Sequence, residues 1–79
     1  MKAKVFVTFK EGVLDPQGKT IQNAIVSLGY KGVEEVRQGK YFELTLNDLP
    51  RDKAEQLVKE IAGKILTNPI IEEFRYQIE

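Results

Sequence analysis

The sequence predicts an α+β protein in which two helices cover one face of a four-stranded, mainly antiparallel sheet. Four stretches have the alternation or composition of strands, namely Lys2–Lys10, Val33–Arg37, Lys40–Leu46 and Ile71–Ile78. Two stretches with apolar residues at helical spacing separate them, so the order is β-α-β-β-α-β. Because each such helix has one apolar side, the expected architecture is a two-layer βαββαβ sandwich of ferredoxin-like order.

The first helix has the strongest local signals in the chain. Asp15 can accept hydrogen bonds from the free N–H groups of the first turn, and Pro16 fits the first helical position. Gly29 can adopt the positive φ of a C-terminal cap, after which Tyr30 folds back onto the helix. Gly18 lies within the first turn, where it costs about 0.5–1 kcal/mol relative to Ala. Its presence indicates either a tight turn into the helix or a close backbone approach by a ligand or partner.

The second helix is predicted to begin near Pro50, with Asp48 as a candidate N-cap. It ends before Pro69, because proline cannot donate an N–H and disfavours a helical residue before it. The residues predicted to form the core share the inward positions of both helices and of three strands: Ile21, Ala24, Ile25, Leu28, Leu57, Val58 and Ile61, packed against Val5, Val7, Phe9, Phe42, Leu44 and Phe74.

A two-residue hairpin turn at Gln38 and Gly39 is predicted to join the second and third strands, since glycine permits positive φ. Arg37 and Lys40 would flank this turn and face solvent. They are either ordinary surface charges or contacts for an anion or an acidic partner.

The uncovered face of the predicted sheet holds Phe6, Tyr41 and Ile71 among charged residues. Phe6 is either a scattered surface aromatic or an oligomer contact. Because a small core gains stability from additional buried area, we expect a homodimer or a dimer of dimers that uses these residues.

Composition excludes most independent catalysis. The 79 residues form one predicted domain, 1–79, whose 12 basic and 12 acidic residues cancel, which disfavours nucleic acid and anionic membranes as partners. Cysteine and histidine are absent, and the single serine, Ser27, lies in mid-helix, so the usual nucleophiles, general bases and zinc ligands are missing. With no apolar run long enough for a membrane span and no recognisable signal segment, a cytoplasmic location is expected.

Three motifs in register resemble the PurS family over essentially the whole chain. They are VLDPQGK (Val13 to Lys19), LGY (Leu28 to Tyr30) and VRQGKYFEL (Val36 to Leu44). This family is the small subunit of phosphoribosylformylglycinamidine (FGAM) synthase, an ATP-dependent glutamine amidotransferase and ligase of de novo purine biosynthesis.

The resemblance implies a function in assembly. In such complexes a glutaminase subunit releases ammonia, and a large synthetase subunit uses ATP, with Mg, to add it to the substrate. The small subunit has no catalytic residues, binds no cofactor or metal, and bridges the other two. The partner contacts that we predict combine turn-forming glycine with charge in two segments: Asp15, Pro16, Gln17, Gly18 and Lys19 in the first, and Arg37, Gly39 and Lys40 in the second.

Two other functions share this element order. A regulatory module of the ACT type would bind a small molecule at the loop before the first helix, although its usual adjacent Pro-Gly is here interrupted by Gln17. An RNA-binding module would need exposed sheet aromatics and net positive charge, and the charge balance argues against it.

Overall fold

One antiparallel sheet of three strands organises the computed structural model, which describes residues 1–79. In chain order the elements are β1 (Lys2–Phe9), α1 (Pro16–Ser27), β2 (Gly39–Thr45), α2 (Arg51–Ile61) and β3 (Glu72–Ile78). A π-helical turn, Ala62–Leu66, continues α2. β1 lies in the centre of the sheet and pairs with β2 on one side and β3 on the other.

The core is small and lies between β1 and α2. Alternate residues of β1 point to α2, and the buried residues of α2 and its extension recur every four positions on the side that faces the sheet. Because these helical residues are small, α2 can lie close to the sheet. The buried apolar residues are Ala3, Val5, Val7, Ala54, Val58, Ala62 and Ile78.

The prediction of a four-stranded sheet is wrong, because residues 33–37 form no strand. This segment returns alongside α1, where the side-chain amide of Gln22 donates to the carbonyl of Glu34 at 2.9 Å. Despite its strand-like composition, the segment packs beside α1 and makes this hydrogen bond to it, with no pairing to a strand. The predicted hairpin turn is also wrong, because Gly39 is a strand residue opposite Thr8 in the pairing of β1 with β2.

The prediction that both helices cover the sheet is wrong as well, because only α2 does. α1 makes no extensive contact with any strand or with α2. Of the predicted core, only Val5, Val7 and Val58 are buried. Four predicted core residues are exposed: Ile21, Ala24, Leu28 and Leu57. The others are half-buried: Phe9, Ile25, Phe42, Leu44, Ile61 and Phe74.

The ends of the helices follow local chemistry, with one correction. Gly29 has φ 89°, and the N–H of Tyr30 reaches the carbonyl of Ile25 at 3.3 Å, as expected for a glycine cap. Asp48 is not the cap of α2, which begins after Pro50 with no side-chain cap. Its carboxylate instead lies 3.8 Å from the N-terminal ammonium of Met1.

The shape of the molecule is elongated. Its radius of gyration is 15.9 Å and its longest dimension is 49 Å, whereas a compact chain of this length has a radius of gyration of roughly 12 Å. The difference arises because α1 projects away from the sheet and does not pack on it.

Truncation of Val58 should test the core. Val58→Ala removes two methyl groups from a fully buried site, and we expect a loss of about 2 kcal/mol in the free energy of unfolding. Val26→Ala is the matched control, since Val26 is 60% exposed on α1. Urea denaturation of both variants at equal protein concentration measures the difference, and equal losses would contradict the assignment of the core to α2.

Candidate subunit-contact surfaces

The carboxylate of Asp15 joins the start of α1 to the segment before β2. One oxygen accepts the N–H of Gly18 at 2.9 Å, and the other accepts the N–H of Gln38 at 2.7 Å. The guanidinium Nε of Arg37 lies 3.8 Å from the second oxygen. Asp15 is 7% exposed, so both backbone donors are satisfied in a largely enclosed place. Asp15 is therefore the cap of α1 and a cross-link between two distant segments.

Gly18 makes this junction sterically possible. A Cβ at this position would overlap the carbonyl oxygen of Val36 and lie 2.7 Å from the carboxylate of Asp15. The close backbone approach is therefore made by the chain itself. Without a side chain at Gly18, residues 36–38 can pass directly over the first turn of α1.

The side chain of Arg37 completes the junction. One of its terminal nitrogens donates to the carbonyl of Phe9 at 3.2 Å, and the other lies 3.6 Å from the carboxylate of Glu35. Arg37 is exposed, as predicted, but it flanks no hairpin turn, and its guanidinium holds the end of β1 against the segment before β2. Lys40 is more exposed than Arg37, with 61% of its side chain accessible to solvent. Its Nζ lies 3.6 Å from a carboxylate oxygen of Glu72.

We call residues 16–38 the arm, which consists of α1 and the segment that returns beside it. We call the junction of Asp15 with Gly18, Arg37 and Gln38, at one end of the sheet, the arm base. Away from that base the arm exposes large apolar side chains, among them Ile21 at 41%, Leu28 at 76%, Tyr30 at 67% and Val33 at 42%. An apolar helix with no partner in its own chain marks an interaction surface.

Most of the contact residues predicted from the sequence gather at the arm base. The side-chain amide of Gln38 donates to that of Gln17, and Gly39 follows directly. A cleft of about 340 Å³ between α1 and the return segment is lined by Asp15, Lys19 and Arg37, among others. The two predicted segments therefore form one continuous surface. Sequence patterns missed Val36, whose carbonyl oxygen lies over Gly18, and Gln22, whose side-chain amide donates across the arm to the carbonyl of Glu34.

The outer face of the sheet brings together two of the three residues predicted for self-association. The rings of Phe6 and Tyr41 are 5.2 Å apart, and the guanidinium of Arg75 lies 4.8 Å from the Phe6 ring. Ile71 is elsewhere, one residue before β3, where its carbonyl accepts the N–H of Lys10 at 2.8 Å. The structure does not join Ile71 to the aromatic pair.

Paired charges surround these aromatics. Lys4 and Glu79 are 2.6 Å apart, which raises the pKa of the lysine and lowers that of the carboxyl. The Tyr41 hydroxyl donates to Glu43 at 2.8 Å, and this bond to the carboxylate raises the pKa of the phenol. The outer face thus combines apolar rings with charges of both signs, as the rims of protein interfaces do.

Neither helix has the length and hydropathy of a membrane span. Acidic side chains do not cluster in groups that could hold a metal ion. The class defined by this geometry is a small α+β module whose exposed apolar arm and mixed outer face are suited to contacts with other protein chains.

Comparison with known proteins identifies the family. The sequence pattern of PurS, described as phosphoribosylformylglycinamidine (FGAM) synthase, matches residues 2–79. The chain belongs to the PurS family. This result leaves no support for the ACT-type alternative.

Relatives and solved structures agree over almost the whole chain. The FGAM synthase subunit PurS of Bacillus subtilis is 50% identical, covering 99% of this chain and 92% of that protein. The crystal structure of Methanocaldococcus jannaschii PurS, one of the subunits of formylglycinamide ribonucleotide amidotransferase in the purine biosynthetic pathway, has a TM-score of 0.88 at 36% identity, covering 99% of this chain and 94% of that one. The structure of PurLQS from Thermotoga maritima has a TM-score of 0.87 at 29% identity, covering 96% and 93%.

Acid should weaken the arm base. The N–H groups of Gln38 and Gly18, with a smaller contribution from Arg37, lower the pKa of Asp15 below its ordinary value of 3.8. Because the folded pKa is below the unfolded one, the stabilisation is complete above about pH 3.8 and is lost as the pH falls toward the folded pKa. Asn has one acceptor oxygen in place of two, so Asp15→Asn should lower the urea midpoint at neutral pH.

The same variant should lose less stability than the parent protein between about pH 7 and pH 2, because it lacks the titrating group. Asp48→Asn is the control, since the side chain of Asp48 is fully exposed. An unchanged neutral midpoint for Asp15→Asn would show that the junction does not stabilise the fold.

Proposed function

We propose that this chain is the assembly subunit of FGAM synthase, and that it bridges the glutaminase and synthetase subunits and supports the transfer of ammonia between them. The family match across residues 2–79 carries the proposal. A PurS-family chain is a small subunit of this ATP-dependent amidotransferase of purine biosynthesis. The complex uses ATP and Mg, while this chain binds neither and works in the cytoplasm.

The chemistry explains why an amidotransferase needs such a bridge. In neutral water ammonia is mostly protonated and loses its nucleophilicity, so it must pass from the glutaminase to the synthetase without free diffusion. A non-catalytic subunit supports this step by holding the two sites in register. A chain without cysteine or histidine is suited to that part and lacks the residues of a glutaminase.

The arm base is the surface that we assign to the partner subunits. It unites the predicted contact residues Asp15, Pro16, Gln17, Gly18, Lys19, Arg37, Gly39 and Lys40. Within this set, Asp15, Gly18 and Arg37 hold the surface in shape, whereas the side chains of Lys19 and Lys40 are exposed, the latter beside Glu72. The division supports direct contact through the two lysines.

Self-association is the second part of the proposal. We propose a homodimer or a dimer of dimers, with Phe6, Tyr41 and Ile71 as contacts on or beside the sheet. Two observations support it: the exposed apolar side chains of the arm, and a core of only seven buried apolar residues. So small a core benefits from area buried against another chain.

Reconstitution tests the assembly function. The purified chain should hydrolyse neither glutamine nor ATP. Added to the glutaminase and synthetase subunits, it should restore glutamine-dependent synthesis of formylglycinamidine ribonucleotide. Synthesis supplied with high external ammonia should depend on it much less, since free ammonia bypasses the coupling. Equal dependence of both reactions on this chain would contradict a function in ammonia transfer.

Charge reversal tests the assigned surface. The double variant Lys19→Glu/Lys40→Glu should weaken complex formation and raise the concentration of this chain needed for half-maximal glutamine-dependent turnover, with little change in stability because both side chains are exposed. Lys53→Glu/Lys64→Glu, on α2 and its extension, makes the same change of charge away from the arm base. Sedimentation of each variant separates loss of partner binding from loss of self-association. Equal affinity of both double variants for the partner subunits would make the arm base ordinary surface.

A further inference from the structure

The outer edge of β3 is unpaired. Because the strand order is β2-β1-β3, β3 has a neighbour on one side only. No proline occurs in Glu72–Ile78, and the pairing with β1 proceeds residue by residue without a bulge. Prolines and bulges are two of the devices that keep edge strands from pairing with other chains. An edge that lacks both can bind an extended segment of another protein.

The register with β1 identifies the free backbone groups of this edge. The N–H of Glu79 donates to the carbonyl of Lys2 at 2.8 Å, and the N–H of Lys2 donates to the carbonyl of Glu79 at 3.4 Å. These two residues are therefore a hydrogen-bonded pair, and in an antiparallel ladder such pairs alternate with non-bonded ones. The odd-numbered residues of β3 consequently bond to β1. The even-numbered residues, Phe74 and Tyr76 among them, direct their N–H and C=O groups away from the sheet.

The side chains beside this edge differ on its two faces. On the side of α2, Phe74 and Tyr76 are half-buried, and the Nζ of Lys59 lies over the Tyr76 ring, 6.0 Å from its centre. On the outer face, Glu73 and Arg75 are exposed. A strand added at this edge therefore needs apolar side chains toward α2 and charged side chains on the outer face.

We propose that an extended segment of a partner subunit, the glutaminase or the synthetase, adds to the sheet as a strand beside β3. This inference rests on the proposed function and names a second contact for it. A chain that bridges two subunits needs two surfaces that do not coincide. The arm base adjoins the start of β2, whereas the free edge of β3 lies on the other side of β1.

The charges on the outer face define the chemistry of the partner strand. Neither Glu73 nor Arg75 forms an ion pair within the chain. Opposite charges on directly opposed residues stabilise a pair of strands, and like charges destabilise it. The added strand should therefore carry an acidic residue opposite Arg75 and a basic residue two positions away, opposite Glu73. Its intervening residues should be apolar, because they extend the row of Phe74 and Tyr76.

A second copy of β3 fits this edge poorly. The antiparallel register that pairs all seven residues of β3 with those of another β3 places Arg75 opposite Arg75. Two like charges in that position destabilise the pair. A strand from a different chain, with the pattern just described, has no such conflict.

Hydrogen exchange of single backbone amides tests the proposal without altering the protein. The chain is exchanged in deuterated buffer alone and in complex with the glutaminase and synthetase subunits, and deuterium is located by electron-transfer fragmentation. In the free chain, the amides of Phe74 and Tyr76 should exchange faster than those of Arg75 and Gln77, which bond to β1. In the complex, the ratio of the Tyr76 rate to the Arg75 rate should fall roughly tenfold or more, because a hydrogen-bonded amide exchanges only when its strand opens. The ratio removes any general stabilisation that assembly gives to the whole sheet.

Substitution of Tyr76 supplies a second measurement. Tyr76→Pro removes an N–H that points away from the sheet, so its pairing with β1 is kept. Tyr76→Val is the matched control, because it also removes the aromatic ring but keeps the N–H. Tyr76→Pro should bind the partner subunits roughly tenfold more weakly than Tyr76→Val, as measured by sedimentation of the mixed subunits.

The outcomes distinguish this inference from the proposed function. An unchanged ratio of Tyr76 to Arg75 exchange in a complex that has formed overturns the added strand, while the assembly function stands. Slow exchange of Phe74 and Tyr76 in the free chain shows that a second copy already occupies the edge, and it overturns the inference as well. If the three subunits do not associate, the proposed function is overturned and the added strand with it.

Discussion

The carboxylate of Asp15 is the interaction on which the shape of the molecule depends. Its two oxygens accept backbone N–H groups from Gly18 and Gln38, twenty positions apart in the chain. One of these bonds begins α1, and the other ties the returning segment to that beginning. Hydrogen bonds from backbone N–H groups to a carboxylate are among the stronger ones in proteins. The arm therefore has a fixed base, and its direction away from the sheet follows from that base.

Local chemistry made the ends of α1 predictable. Asp15 and Pro16 begin the helix and Gly29 ends it, each for a reason that involves only neighbouring residues. The alternation in Lys2–Phe9 likewise identifies β1, because a half-buried strand needs no distant partner to show its period. These elements are within reach of sequence reasoning.

Distant contacts decided what the sequence could not. Val33–Arg37 has the composition of a strand, but its backbone binds Gln22 and passes over Gly18, which leaves the sheet with three strands. Ile21 and Leu28 do lie on one apolar face of α1, yet helical periodicity predicts only that such a face packs against another surface. Periodicity does not identify that surface, and in this structure it is not the sheet of the same chain. The two segments predicted as partner contacts remain a prediction, and what the sequence did not show is that the carboxylate of Asp15 joins them.

Because the apolar face of α1 is exposed in the single chain, the free energy of unfolding depends on what that face binds. Seven buried apolar residues make a thin core, and area buried on association then stabilises the folded state by mass action. Such exposed apolar surface suits an assembly subunit, since other chains can bind it. Folding and assembly are therefore coupled in this account.

The distance between the end of α1 and the far end of the sheet, within one chain, tests most directly whether the Asp15 junction directs the arm away from the sheet. Spin labels at Ser27→Cys and Thr45→Cys, in labelled protein diluted with an excess of unlabelled protein, report this distance by pulsed electron paramagnetic resonance. If the Asp15 junction directs the arm away from the sheet, the separation should be about 40 Å, from the lengths of α1 and β1. A separation of about 20 Å or less would place α1 back over its own sheet, and would contradict the account.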